Sequence, residues 1–140
     1  MNYRLLTMDE KLYAMKRLRE LDHLEHLIPH DADMMGVHRR MERVKVVGMF
    51  DGDELIVVYW TYNRDAEAKK RFIAVGALVP LSRILLVEMR RVVGYLTREW
   101  ELWGEIDADN PRGLHLGELC GFRVERVLDS RIIVKHERSA

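Results

Sequence analysis

A single cysteine, Cys120, stands in 140 residues. No disulfide can form within the chain, and a reducing compartment is the simplest home for it. A surplus of charge is missing as well, with 23 Lys and Arg against 23 Asp and Glu. General nucleic-acid and polyanion binders carry a basic excess, so the balance argues against that class while leaving room for a local basic patch. Long apolar runs are also lacking. The first six residues lead into Asp9 and Glu10 too soon for a signal peptide. The longest later apolar stretch is broken by Arg83, Glu88, Arg90 and Arg91, which excludes a spanning helix. No repeat, linker or low-complexity segment interrupts the chain. These absences predict a soluble cytoplasmic protein of one domain, residues 1–140, with neither membrane nor nucleic acid as partner. What is there is 48% hydrophobic and 33% charged residues. That mixture suits an ordered domain large enough to bury its own core.

Residues 3–6 read as a short strand, and Thr7-Met8-Asp9-Glu10 as a capping box opening a helix. Leu12, Met15, Leu18 and Leu21 carry that helix to about Leu27, before Pro29. Asp31 or Asp33 would cap a second helix bearing Met34, Val37 and Met41. Val44–Phe50 and Glu54–Tyr62 flank Asp51-Gly52-Asp53, a hairpin signal, and Arg71–Leu78 reads as the next strand. From Ser82 to about Trp100 the pattern is helical, with Leu85, Met89, Val92 and Leu96 on the expected buried face. Leu102–Asp107 is a strand. Asn110-Pro111 starts a short helix, as cap and first residue, and Gly121 ends it with a left-handed cap. Arg123–Leu128 and Arg131–His136 are strands around Asp129-Ser130. The order β-α-α-β-β-β-α-β-α-β-β predicts an α/β fold, a mixed sheet with helices on both faces.

This order, together with Asn110-Pro-Arg-Gly113-Leu-His-Leu-Gly117-Glu-Leu-Cys-Gly121-Phe122, resembles the GNAT N-acetyltransferase superfamily. The family's late motif places Gly-Phe eleven and twelve residues after an Asn, with a small residue three after it and a Tyr seven after it. Asn110, Gly121 and Phe122 match in identity and spacing, and Gly113 takes the small position. Leu102-Trp103-Gly104-Glu105-Ile106-Asp107 looks like the family's fifth strand. The resemblance implies a domain whose fourth and fifth strands splay apart to admit acetyl-CoA. It places the pantetheine arm along Val75, Gly76, Ala77 and Leu78, with a backbone N–H near Gly76 or Ala77 polarising the thioester. Ser82 and Arg83, at a helix start, would meet the phosphates, and Asn110 would orient the cofactor or the splayed strand.

Two departures concern chemistry. The family's phosphate loop is glycine-rich, but Leu78-Val79-Pro80-Leu81-Ser82-Arg83-Ile84 has no glycine, and Pro80 lacks an N–H. The tyrosine that often protonates the leaving thiolate falls at Gly117, and His115 would point elsewhere on the helix. No catalytic residue can be named, since Glu54 and Glu67 lie at strand or loop edges. The expected activity is transfer of an acetyl group to an amine of a small molecule or protein. The alternative, motivated by the missing loop glycines and tyrosine, is a non-catalytic GNAT-fold protein that binds a protein partner, as in phage virion assembly; the size and the Pro80-x-Ser82-Arg83 helix start resemble GNAT-like proteins of short-tailed bacteriophages. That origin would place it in the host cytoplasm. The methionines at 8, 15, 34, 35 and 41 would supply adaptable contacts for such a partner.

Other residues read as structural. His23, His26 and His30 lose helical register at Pro29 and are not expected to hold a metal. Trp60, Trp100 and Trp103 are expected in the core, with an interface as the second reading. Cys120 is expected to be a buried, inert thiol.

Overall fold

The computed structural model describes residues 1–21 and 34–139. The expected helix end near Pro29, the caps at Asp31 or Asp33, and His23, His26 and His30 lie outside them. The elements are β1 (Asn2–Leu5), α1 (Met8–Leu21), α2 (Met34–Arg43), β2 (Val47–Asp51), β3 (Glu54–Asp65), β4 (Lys70–Ala77), α3 (Arg83–Leu96), β5 (Glu101–Asp107), α4 (Pro111–Leu119), β6 (Arg123–Val127) and β7 (Arg131–His136). The strands form a mixed seven-stranded sheet in the order β1-β2-β3-β4-β5-β7-β6. The residues group into two compact units: unit 1 is 1–61 with 74–80, and unit 2 is 62–73 with the chain from Leu81 onward.

Unit 1 starts from its helix cap. The Thr7 hydroxyl accepts the Glu10 N–H at 3.3 Å, and the Glu10 carboxylate accepts the Thr7 N–H at 2.9 Å. From there α1 buries Ala14, Met15 and Leu18. The Lys11 ammonium donates to the carbonyls of Met41 and Val44, satisfying acceptors at the end of α2. The hairpin follows from Gly52, which takes a φ of +60°. Asp51 pairs with Glu54, so two residues make the turn, and glycine supplies the positive φ at its first position. Ile56–Trp60 are all buried, so β3 reads as an unbroken apolar run rather than an alternation. Met15 and Met41 are 1% and 2% exposed. They are core residues, which removes them from any adaptable contact surface.

In unit 2, Leu85, Met89 and Val93 form the buried stripe of α3, continued by Thr97. The sequence expectation of Val92 is corrected by one residue. The stripe steps by four here, and Val92 lies on its half-buried flank. β5 pairs antiparallel with β7, which pairs antiparallel with β6. Asn110 caps α4 with Pro111 at its first position, and Gly121 follows it at a φ of +96°, both as expected. A Cβ at Gly121 would stand 2.8 Å from His136 Nε2, a second reason for glycine there.

Candidate functional site

The parallel register of β4 with β5 covers three pairs: Lys70 with Glu101, Arg71 with Leu102, and Phe72 with Trp103. Beyond them β4 continues through Ala77. Along a strand, successive amides point to opposite edges. The Leu78 N–H donates to Ile56 O at 2.8 Å, toward β3. The Gly76 N–H shares that parity, so it too is directed at β3. Those of Val75 and Ala77 point to the other edge. The sequence reading allowed Gly76 or Ala77 as a donor to a bound carbonyl. Strand parity leaves the Val75 and Ala77 N–H groups on the edge away from β3, while those of Gly76 and Leu78 face β3.

Gly76 has a different duty. A Cβ there would lie 2.5 and 2.6 Å from the two terminal methyls of Leu18. Glycine at 76 lets α1 approach β4 closely within unit 1.

At the start of α3, Ser82 is extended, and its hydroxyl accepts the Leu85 N–H at 3.2 Å. The helix begins at Arg83, so Pro80 lies outside it. Its missing N–H is therefore a feature of the loop before the helix and not of the helix start. No acid occurs in the first turn. Arg83 is exposed there, beside exposed Leu81 and Ile84. The peptide dipoles concentrate positive potential at this end.

At the start of α4, the Asn110 carboxamide oxygen accepts the Gly113 N–H at 3.0 Å. A Cβ on Gly113 would sit 2.6 Å from Asn110 Nδ2. Gly113 thus makes room for the cap, and Asn110 Oδ1 is engaged within the helix.

Two polar regions escaped the sequence reading. In unit 1 a cavity of about 600 Å³ is lined by Asp9, Tyr13, Phe50, Glu54, Leu78 and Pro80, among others. It gives Glu54 a wall to stand on, which no local pattern could show. In unit 2, strand alternation puts Trp103, Glu105 and Asp107 on one face of β5, and Arg131 donates to Glu105 at 3.2 Å. Burial, reinforced by the nearby Glu105 carboxylate, raises the pKa of the Tyr62 phenol, with Arg131 opposing. Period-two reading of β5 would have found this polar face. Cys120 is half-buried, and desolvation raises its thiol pKa, against the weak opposing pull of Arg90. The sequence predicts a buried thiol, and the structure leaves it half-buried. Trp60 and Trp100 are buried as expected, while Trp103 is half-buried with its indole N–H on Glu101. No cluster of metal-ligating side chains occurs among the described residues.

No protein-family model and no curated protein sequence matches the chain. Solved structures do. A variant of spermidine N-acetyltransferase SpeG from Vibrio cholerae matches with a TM-score of 0.72 and 11% identity, over 99% of this chain and 96% of that one. Aminoglycoside acetyltransferase AAC(6')-Ib, in complex with coenzyme A and kanamycin, matches with a TM-score of 0.72 and 16% identity, over 98% and 94%. Campylobacter jejuni N-acetyltransferase PseH, in complex with acetyl coenzyme A, gives 0.66 and 13%, over 99% and 100%. The fold is that of the GNAT acetyltransferases.

Within the GNAT fold the late motif takes its expected local form. The Phe122 N–H donates to Gly117 O, and the Gly121 N–H to Glu118 O, closing α4 around the left-handed glycine. Gly117 packs over Ile106, and a Cβ at 117 would stand 3.6 Å from Ile106 Cδ1. A small side chain would fit this space, but glycine presents no proton donor. His115 is exposed on α4. Among the described helices none is long and apolar enough to cross a membrane.

Proposed function

We propose that the chain is an acyl-CoA-dependent N-acetyltransferase that transfers an acetyl group to an amine. The observation that carries this reading is the short register of β4 with β5, with the Val75 and Ala77 amides directed to the β4 edge that faces away from β3. Acetyl-CoA would supply an activated thioester carbonyl. In unit 1, the Val75–Leu78 backbone would align the pantetheine amides, and the Ala77 N–H would hold the carbonyl oxygen as it gains charge. In unit 2, the start of α3, with its Ser82 cap, no acid and exposed Arg83, would meet the phosphates. Asn110 would act by fixing the start of α4. With glycine at 117 that position offers no proton donor, so the attacking amine would lose its proton to water as the C–S bond breaks, and the leaving thiolate would take one from solvent.

The acceptor is a small-molecule or protein amine in this reading. The named acceptors of similar structures, spermidine and an aminoglycoside, are amines. Calorimetric titration with acetyl-CoA and CoA tests the proposal. Micromolar binding followed by acetylation of an amine supports it. A failure to bind at millimolar ligand leaves less than about 4 kcal/mol of affinity and overturns it.

A second reading, a non-catalytic GNAT-fold protein engaged in protein binding or phage virion assembly, draws on one feature of α3. Ile84 and Val87 are 68% and 51% exposed, beside exposed Leu81. A start of this kind suits contact with protein as well as with phosphate. This reading gains if CoA does not bind and substitution of Ile84 by Asp abolishes a protein complex.

A further inference from the structure

Three cations gather on one buried indole in unit 2. The Trp100 side chain is 5% exposed. The Arg71 guanidinium carbon lies 4.5 Å from its ring centre, that of Arg64 5.0 Å, and Lys69 Nζ 5.5 Å. Ring contact attracts each cation but does nothing to relieve their mutual repulsion. Lys69 has an acid, Glu99, at 3.7 Å. Among the described hydrogen bonds and ion pairs, neither Arg64 nor Arg71 has a carboxylate partner. The Arg71 Nε is buried with no hydrogen-bond partner.

The neighbouring indole shows what a balanced version looks like. Lys70 and Lys135 lie over Trp103 at 5.6 and 5.4 Å, and both are within 4.0 Å of the Glu101 carboxylate. Glu101 also accepts the Trp103 indole N–H at 2.8 Å. Around Trp103 an acid is built in. Around Trp100 the one acid, Glu99, is paired with Lys69 and reaches Arg71 only through space, and the Arg71 Nε has no hydrogen-bond partner. Burial and then Arg64 pull the Arg71 pKa below its ordinary value, with Glu99 opposing.

We propose that Arg64, Lys69 and Arg71, arrayed around Trp100, form a binding site for a phosphomonoester dianion. Guanidinium forks suit the oxygens of phosphate. Two uncompensated positive charges match a group that carries close to two negative charges near neutral pH. A phosphodiester supplies only one per phosphate. The end of β3, the turn after it and the start of β4 carry the cations: Asn63, just before Arg64, and Lys69 itself both take left-handed backbone angles. The Lys69 carbonyl is held by the Glu101 N–H at 2.8 Å. The site lies past the C-terminal end of α3. Arg83 is at the other end of that helix, about 21 Å away for 14 residues. None of these residues is among those proposed to meet acetyl-CoA.

The test is titration of the isotope-labelled chain with inorganic phosphate and, separately, glycerol phosphate, followed at the Trp100 indole N–H signal. Trp100→Phe serves only to assign that signal. Saturable shifts with a Kd of about 1 mM are expected for both ligands. They should weaken about tenfold in Arg64→Gln, whose side chain is exposed and whose loss does not threaten the core. Arg71→Gln should do the same, while Arg126→Gln on β6 leaves binding unchanged. Affinity should fall as the pH drops below about 6, where the dianion gains a proton. Absence of a saturable shift overturns the site, as does a shift that Arg64→Gln leaves untouched. Tighter binding of a single-stranded oligonucleotide than of either phosphate overturns the monoester assignment.

Discussion

The starts of α1 and α3 are built on opposite plans. At α1 the helix brings its own anion. Asp9 and Glu10 lie in the first turn, Thr7 and Glu10 exchange hydrogen bonds, and both Arg4 Nη atoms hold the Glu10 carboxylate at 2.7 Å. At α3 the first turn has no acid, the cap is Ser82 alone, and the adjacent charged residue is a cation, Arg83. Helix starts attract anions because their first amides lack intrahelical partners. Where the sequence installs a carboxylate, as at Glu10, that attraction is spent on stability. Where it installs none, the attraction is left for something else. The start of α4 lies between the two plans. It also lacks an acid, but Asn110 and the missing Cβ of Gly113 close it from within.

The largest effect should come from the closed start of α4. In Gly113→Ala the new methyl would meet Asn110 Nδ2 at 2.6 Å and Cγ at 3.0 Å. The cap must turn away, adding its loss to the strain of the contact, for about 2 kcal/mol of stability. Denaturant unfolding measures this. An unchanged midpoint would show that the cap is not held by that close fit. Next comes Arg83→Glu, which gives α3 the acid that α1 already has. Folding stability should hold or rise slightly, because the charge now complements the helix dipole. Affinity for CoA should fall about tenfold, about 1.4 kcal/mol. If CoA binds equally well, α3 does not meet its phosphates. Thr7→Ala tests the other side of the comparison. It should cost about 1 kcal/mol in stability and leave CoA affinity untouched.

The contrast between α1 and α3 was legible in the sequence, because caps are local. Thr7 and Glu10, Asn110 and Pro111, and Gly52 and Gly121 act within four residues of themselves, and each took its expected place. Strand and helix order was legible for the same reason. What escaped depended on neighbours far along the chain. Gly76 is small because Leu18 lies against it. The edge to which the Ala77 amide points follows from the pairing of Leu78 with Ile56. Arg64, Lys69 and Arg71 are ordinary surface cations until the β3–β4 turn brings them to Trp100. The candidate acyl-transfer residues follow from family resemblance, and it is strand parity that separates Ala77 from Gly76.

The smallest effect is the sharpest probe of the built-in anion of α1. The hydrogen bond from Arg4, followed by that from the Thr7 backbone, lowers the Glu10 pKa from 4.5 to about 2. A carboxyl whose pKa is depressed on folding contributes stability above its unfolded value and loses it as pH falls toward the folded one. The stabilisation from Glu10 should therefore be whole at neutral pH, decline below about 4.5, and be gone near 2. Because the Arg4 side chain is 53% exposed, solvent and salt screen the pair, and the effect is modest. Thermal unfolding of the parent chain and Glu10→Gln across this range isolates it. The two melting temperatures should converge in acid, and added salt should narrow their gap at neutral pH. A constant gap across the whole range would mean that Glu10 acts on α1 through its shape and hydrogen bonds rather than its charge. The distinction between a helix start that carries its anion and one that awaits it would then fail at α1.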